Sequence, residues 1–276
     1  MDSRRMCPHC RAFITTKDKV CPYCNERVGP PAASRRDGDA SIGGFIPSGR
    51  FNTILILLIN FGLYVATTIY TMRLSGGGVA MDIDGRVLYA FGAKVGLADL
   101  HGEWWRLVTA GFLHGGLLHI LMNSWVLFDL GAQVEEIYGA SRMWVIYFIS
   151  NFAGFLLSAW WSPTVSIGAS AALCGLIGAM IALGVTQRHH PMAQQIRAVY
   201  IRWAIYLLIF SLLPGVDMMA HVGGGLAGFA IGYVGGLPGR EGTPAERLWR
   251  ASAWFCVLLT IVSFLKLYLW FTQSPS

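Results

Sequence analysis

The apolar positions of this chain are concentrated after residue 50, where long hydrophobic runs alternate with short polar loops. A helix needs about 20 mostly apolar residues to cross the hydrocarbon of a bilayer, and seven runs approach that length. They lie at 51–72, 115–131, 143–161, 169–187, 199–213, 218–237 and 250–271. The pattern therefore predicts an all-α polytopic membrane protein.

Composition and charge strengthen this prediction. Only 13% of the residues are charged and 54% are hydrophobic, whereas a soluble domain has about 25% charged residues. Such a composition excludes intrinsic disorder and disfavours a purely soluble globule. The formal net charge of +6 would be compatible with nucleic-acid binding. However, nine of the 21 Lys and Arg residues lie in the first 50 positions, before the apolar runs. We interpret this excess as the positive-inside bias of a membrane protein and expect no nucleic-acid partner.

The same bias predicts the orientation of the chain. If the N-terminus is cytosolic, the inner segments 1–50, 129–142, 188–202 and 238–250 hold 16 of the 21 Lys and Arg residues. We therefore expect an integral protein of a plasma membrane, with its N-terminus in the cytosol and its C-terminus outside. The loop at 73–104 would lie outside, and its Gly-rich, nearly neutral sequence predicts a folded, partly embedded loop.

Two CxxC pairs mark a small head at residues 1–28. Their cysteines are Cys7, Cys10, Cys21 and Cys24. Pairs at this separation suit a tetrahedral zinc site made of four thiolates. Two disulfides are the alternative, but no signal peptide precedes the cysteines and the cytosol keeps thiols reduced. Four thiolates fill the coordination sphere, so we expect a structural zinc ion with His9 exposed beside it, and a linker at 29–50, which is rich in Pro, Gly and Ser.

Polar side chains at membrane depth are costly and mark candidate functional sites. His119 and Asn123 are four residues apart and share one helical face, whereas His114 lies about 140° from His119 around a helix and need not join them. Ser170 follows a Gly-Ala step where a helix is expected to begin, and His221 lies early in the sixth predicted span.

Each of these features also has a simpler interpretation. A serine at a helix start is usually an N-cap, a lone histidine in a bundle usually has a hydrogen-bond partner, and glycine-rich helices usually just pack closely. Asp217, four residues before His221, could complete a catalytic triad, but its position favours a helix cap.

Small residues follow both the serine and the histidine at helical spacing. The two faces are Ser170, Cys174 and Gly178 on one helix, and His221, Gly224, Gly228 and Gly232 on the other. Such faces allow two backbones to approach and would bring an imidazole base to a hydroxyl nucleophile. Backbone amides at the start of the serine's helix would favour a developing negative charge.

Together these segments resemble the motifs of the rhomboid family of intramembrane serine proteases, over about residues 51–237. The matching motifs are a WR…HxxxN stretch from Trp105 to Asn123, ExxxG at Glu135 and Gly139 with Ser141 and Arg142 after it, GxS at Gly168–Ser170, and AHxxGxxxG from Ala220 to Gly228.

The resemblance implies a six-helix catalytic core at 51–237 with a water-filled cavity open to the outside, followed at 238–276 by a cytosolic loop and a seventh helix. It implies Ser170 as nucleophile, His221 as general base, and an oxyanion hole formed by His119, Asn123 and the Ser170 amide. It implies cleavage of single-pass transmembrane substrates in the lipid bilayer without a catalytic cofactor. Residues expected to be structural or to lie in the first loop are Trp105, Arg106, His114, Glu135 and Arg142.

Two positions depart from the family pattern. Ala171 replaces the glycine that usually follows the serine, and we expect it to have little effect on the chemistry but to tighten the approach of the sixth helix. Cys174 stands where an aromatic residue is common, so we expect a more open cavity near the dyad. Two other classes of function stay open: a non-catalytic rhomboid-like protein that binds or escorts membrane helices, and a transporter or channel. The zinc head would then serve as a regulatory module or bind a protein partner.

Overall fold

The computed structural model describes most of the chain in two units, Met1–Ser48 and Gly49–Ser276. The residues described are 4–7, 10, 12–15, 18–26, 50–75, 82–240 and 242–273. The predicted linker, apart from Arg50, and His9 lie outside the described residues.

The first unit contains a short antiparallel hairpin. Strands β1 (Arg4–Met6) and β2 (Phe13–Thr15) pair with Arg5 opposite Ile14. Cys7 directly follows β1 and its N–H donates to the Ala12 carbonyl at 2.8 Å. The buried side chains of Cys7, Ile14 and Cys21 pack together, so two of the four head cysteines form part of this small core.

The second unit is helical. Its helices are α1 (Phe51–Leu74), α2 (Gly85–Ala90), α3 (Arg106–Thr109), α4 (Leu117–Val126), α5 (Ala132–Trp161), α6 (Ser170–Thr186), α7 (Pro191–Phe210), α8 (Met218–Gly235) and α9 (Pro244–Gln273). Short 3₁₀ turns lie at Leu97–Asp99 and Ala110–Phe112, and a π-helical turn at Leu127–Gly131 joins α4 to α5.

Each of the seven predicted spans coincides with a helix, and the all-α membrane fold is confirmed. Among the described residues, four helical runs are long and apolar enough to cross a membrane. They are Phe51–Leu74, Leu117–Trp161, Met218–Gly235 and Pro244–Gln273, and Ser170–Thr186 is apolar but shorter. The run Leu117–Trp161 carries the second and third predicted spans, which are separated at Gly139, where φ is 78° and ψ is 159°. Only glycine adopts such a backbone easily, so this residue breaks the helix.

Helix α6 is the centre of the unit and packs against α5, α7 and α8. It is apolar all round, which is the pattern of a helix enclosed by other helices, and most of its residues are buried. A helix enclosed by other helices does not need the length of one that faces lipid, which accounts for the 17 residues of α6.

Helices α6 and α8 approach until their backbones touch. A Cβ atom added at Gly224 would lie 2.0 Å from the Ala171 carbonyl oxygen, and one at Gly228 would lie 2.0 Å from the Gly175 carbonyl oxygen. The contact includes the predicted Gly178, whose added Cβ would lie 2.2 Å from a backbone oxygen of α8. The glycine faces therefore set the distance between these helices.

Two charged side chains on α5 bind the first turns of α1 and α9. Glu135 accepts hydrogen bonds from the N–H groups of Asn52 and Thr53, at 2.9 and 3.0 Å, and so caps the N-terminus of α1. Arg142 forms a bidentate pair with Glu246 in the first turn of α9, with both N–O distances at 2.7 Å. Each α5 side chain thus holds a different helix in place.

The described part of the first loop is folded around a buried arginine. Arg106 is fully buried, donates to Glu103 at 2.5 Å and to the Tyr89 carbonyl at 2.6 Å, and lies over the rings of Trp105 and Trp270. Trp270 belongs to the C-terminal turn of α9, so the last helix packs directly against this loop. The prediction of a folded loop agrees with this packing.

Candidate active site

Ser170 is the first residue of α6, and the segment before it is fixed by hydrogen bonds. Gly168 has φ of +123° and its N–H donates to the Ala110 carbonyl at 3.0 Å. The buried Lys94 pairs with Ser166 through the backbone, and its ammonium donates to the carbonyls of residues 162 and 164 at 3.0 Å each. These bonds hold the serine at the N-terminus of a helix, where backbone amides are unpaired and favour negative charge.

His221 lies in the first turn of α8 and faces this serine. Its Nε2 atom is 2.8 Å from the Ser170 Oγ atom, which is hydrogen-bond distance for a base and its nucleophile. Only 6% of the His221 surface is exposed. The close contact between α6 and α8 therefore brings together two residues that are 51 positions apart in the chain.

Asp217 does not complete a triad. It is the N-cap of α8, since its Oδ1 atom accepts the Ala220 N–H at 3.0 Å, and its Oδ2 atom accepts the Ser158 hydroxyl. The helix-cap interpretation of this carboxylate is confirmed.

His119 and Asn123 approach the same site from α4. A Cβ atom added at Gly168 would lie 2.7 Å from His119 Nε2 and 3.6 Å from Asn123 Nδ2. Asn123 is 9% exposed, and its Nδ2 atom has no hydrogen-bond partner within the described part of the chain. A buried donor without a partner is free to bind an acceptor that enters the space beside Gly168.

His114 lies closer to the site than helical geometry predicts. Its ring is 5.1 Å from that of His119, centroid to centroid, in a T-shaped arrangement. The 140° separation assumes a continuous helix, but Leu113 and Gly116 have extended backbones and α4 begins only at Leu117. The helical spacing therefore does not apply between these two residues, and the two imidazoles are neighbours.

A cavity of about 260 Å³ lies between α6, α7 and α8 and reaches His221. Its other walls are apolar and include Cys174, Leu207 and Phe229. The thiol of Cys174 thus lines open space at a position where the family pattern has an aromatic ring.

Sequence reasoning missed one residue of this site. Ser211, which follows the last residue of α7, places its Oγ atom 2.6 Å from His221 Nδ1. It is buried, with 3% of its surface exposed. The sequence carries no motif at this position, so only the fold relates this hydroxyl to the imidazole.

The four head cysteines form a second cluster. Their Sγ atoms all lie within 4.8 Å of one another, with Cys7 and Cys24 separated by 3.7 Å and Cys10 and Cys21 by 3.6 Å. A disulfide would need about 2.05 Å, whereas four sulfurs at about 2.3 Å from a tetrahedral zinc ion lie roughly 3.8 Å apart. The cluster therefore fits a metal ion such as zinc.

The helical unit defines a class of protein: an integral membrane protein with a serine–histidine pair between its helices. Residues 101–237 match the rhomboid domain model. RHOMBOID-like protein 6, mitochondrial, of Arabidopsis thaliana is 39% identical over 48% of this chain and 44% of its own length. Rhomboid protease GluP of Bacillus subtilis is 31% identical over 68% of this chain and 37% of its own. Rhomboid-like protease 3 of Toxoplasma gondii is 35% identical over 53% of this chain and 57% of its own.

The chain belongs to the rhomboid family. Its matches span about half the length of these relatives, or less. The matched domain at 101–237 contains α3 to α8, and thus both the serine and the histidine, whereas the cysteine head lies outside it.

Proposed function

We propose that this protein is an intramembrane serine endopeptidase that cleaves transmembrane segments of membrane proteins with a Ser170–His221 dyad. The observation that carries the proposal is the 2.8 Å hydrogen bond between His221 Nε2 and Ser170 Oγ at the N-terminus of the central helix. The substrates would be single-pass proteins with small residues and weak helicity near the cleaved bond.

The reaction begins when His221 takes the Ser170 proton and the serine oxygen attacks a peptide carbonyl. A covalent acyl-enzyme forms as the C–N bond breaks, and the imidazolium returns its proton to the leaving amine. Water, deprotonated by the same imidazole, then hydrolyses the ester. No metal or organic cofactor takes part in these steps.

The developing oxyanion would be held by Asn123, His119 and the Ser170 amide. Replacing Asn123 by alanine is expected to lower kcat by about 10²- to 10³-fold, the effect of losing one oxyanion donor, with little change in KM. Single-turnover kinetics would measure this. The matched control is Asn52→Ala, since Asn52 donates through its side chain to the Ala140 carbonyl at the far end of the bundle. An unchanged kcat for Asn123→Ala would contradict the role.

The function itself can be tested with a purified reporter in proteoliposomes. The wild-type protein should cut a single-pass reporter within its membrane segment, and mass spectrometry would locate the cut. A reporter whose segment is entirely leucine, and therefore strongly helical, is the matched control and should be cut more slowly. Capture of the intact reporter without cleavage would favour the non-catalytic binder, and solute flux through the liposomes would favour a transporter.

We further propose that the head binds one structural zinc ion through Cys7, Cys10, Cys21 and Cys24, on the cytosolic side of a plasma membrane. The closed set of four thiolates supports this role, since a catalytic zinc site keeps one position for water or substrate. The C-terminus would lie outside, and the head would regulate the enzyme or bind a protein partner.

Removing the head separates its role from catalysis. A variant lacking residues 1–28 should cut the reporter at close to the full-length rate, because the dyad lies entirely in the helical unit. Cys21→Ser in the full chain should lower zinc content measured by mass spectrometry, whereas Cys256→Ser on α9 should not. Complete loss of cleavage in a folded truncation would show that the two units do not act separately.

A further inference from the structure

The hydroxyl of Ser211 lies between two acceptor-capable groups. Its Oγ atom is 2.6 Å from the Leu207 carbonyl oxygen, one turn earlier on α7, and 2.6 Å from His221 Nδ1 on α8. Both distances are short for hydrogen bonds of these types. The end of α7 is thereby joined to the imidazole of the dyad.

The chemistry of these groups decides the direction of both bonds. A serine hydroxyl has one hydrogen and two lone pairs, and a backbone carbonyl can only accept. The Ser211 hydrogen is therefore donated to Leu207, which leaves a lone pair of Oγ to accept a hydrogen from His221. Nδ1 consequently carries a proton.

The protonation of Nδ1 determines what the other ring nitrogen does. In a neutral imidazole only one nitrogen carries hydrogen, so Nε2 has a free lone pair at 2.8 Å from Ser170 Oγ. The opposite tautomer would present an N–H to Ser170 and could not accept its proton. The hydrogen bond that Nδ1 donates to Ser211 Oγ thus selects the tautomer that works as a base.

We propose that Ser211 is a positioning residue that fixes the catalytic tautomer and orientation of His221; this role rests on the proposed endopeptidase function. It takes the place that a carboxylate occupies in a Ser-His-Asp triad. Asp217 does not fill this place: the partner of Nδ1 is Ser211, whereas the two carboxylate oxygens of Asp217 accept hydrogen bonds from the Ala220 N–H and the Ser158 hydroxyl. As the imidazolium forms, the Ser211 lone pair continues to accept from Nδ1 and stabilises the charge.

The test compares three substitutions of Ser211 in the reporter assay. Ser211→Ala should lower kcat by about 10- to 100-fold, the effect of losing one hydrogen bond to a group that becomes charged, with KM unchanged. Ser211→Thr keeps the hydroxyl and the bond to Leu207, and should recover most of the rate. Ser211→Cys has a thiol, which is a weaker acceptor of similar shape, so its kcat should lie between those of the Ala and Thr variants. Labelling of Ser170 by a fluorophosphonate should slow in the same order.

A matched control exists on α9. Ser263 is fully buried, and its hydroxyl donates to the carbonyl four residues earlier at 2.8 Å. Ser263→Ala therefore removes the same intrahelical bond without touching the dyad, and kcat should stay at the wild-type value. Thermal unfolding of all variants reports any general loss of stability.

Several outcomes would overturn the proposal. They are an unchanged kcat in Ser211→Ala, a Thr variant as slow as the Ala variant, or a loss in Ser263→Ala of the same size. If the wild-type protein and every variant leave the reporter intact, the endopeptidase function fails and this role fails with it.

Discussion

Replacing Ser170 by alanine is expected to abolish cleavage of the transmembrane reporter, with kcat reduced by about 10⁴-fold or more. The side chain supplies the oxygen that attacks the peptide carbonyl, and no other described hydroxyl lies within hydrogen-bond distance of His221 Nε2. Reporter binding should survive, because the substitution removes one oxygen and leaves the start of α6 intact. Fragment formation and reporter co-purification measure the two effects separately.

The histidine provides a sharper version of the same experiment. Because the two side chains act as a unit, Ser170→Ala combined with His221→Ala should be no slower than either single variant. Additive losses would mean that the residues act independently. Ser263→Ala, which changes a buried serine on α9 whose hydroxyl donates to the Leu259 carbonyl, is the matched control and should cut normally. Cleavage by Ser170→Ala at the wild-type rate would rule out this nucleophile.

The seven long helices were predictable because each contains a long apolar run, whereas the short helices α2 and α3 contain no such run and were not predicted. The approach of α8 was also predictable, since glycine recurs at helical spacing after His221. The sequence did not predict which face of α6 contacts α8. It suggests Ser170, Cys174 and Gly178, whereas Ala171 and Gly175 also contact α8. Small residues are so frequent on this helix that its sequence alone does not select one face.

Contacts between distant residues were harder to predict. Nothing near Arg142 indicates that its partner is Glu246, 104 positions later, and a lone serine after α7 gives no sign that it meets His221. The contact between His114 and His119 could not be predicted, because helical spacing does not hold across Gly116, where the backbone is extended. Local periodicity predicts elements, but pairs such as these depend on how whole helices pack.

The second large effect concerns the distance between α6 and α8. Gly224→Ala should lower kcat/KM by about 100-fold, although neither Gly224 nor its neighbour Ala171 takes part in the chemistry. The added Cβ would lie 2.0 Å from the Ala171 carbonyl oxygen, and backbone atoms of a well-packed interface cannot yield without moving a helix. A displacement of about 1 Å in a catalytic site is enough for a loss of this size. Ala171 directly follows Ser170, and Gly224 lies one turn after His221, so the displacement acts on the dyad itself.

Gly225→Ala is the matched control for this prediction. Its added Cβ would lie 3.7 Å from the nearest atom, the Cys174 carbonyl oxygen, which is ordinary contact. Both substitutions raise helix propensity by about 1 kcal/mol, so a difference between them reports packing alone. Gly225→Ala should cut the reporter at the wild-type rate and unfold at the same or a higher temperature, whereas Gly224→Ala should lose about 1–3 kcal/mol of stability through overpacking. Equal activity in the two variants would show that the dyad tolerates a change in helix spacing, and the glycine face would then have no part in assembling the site.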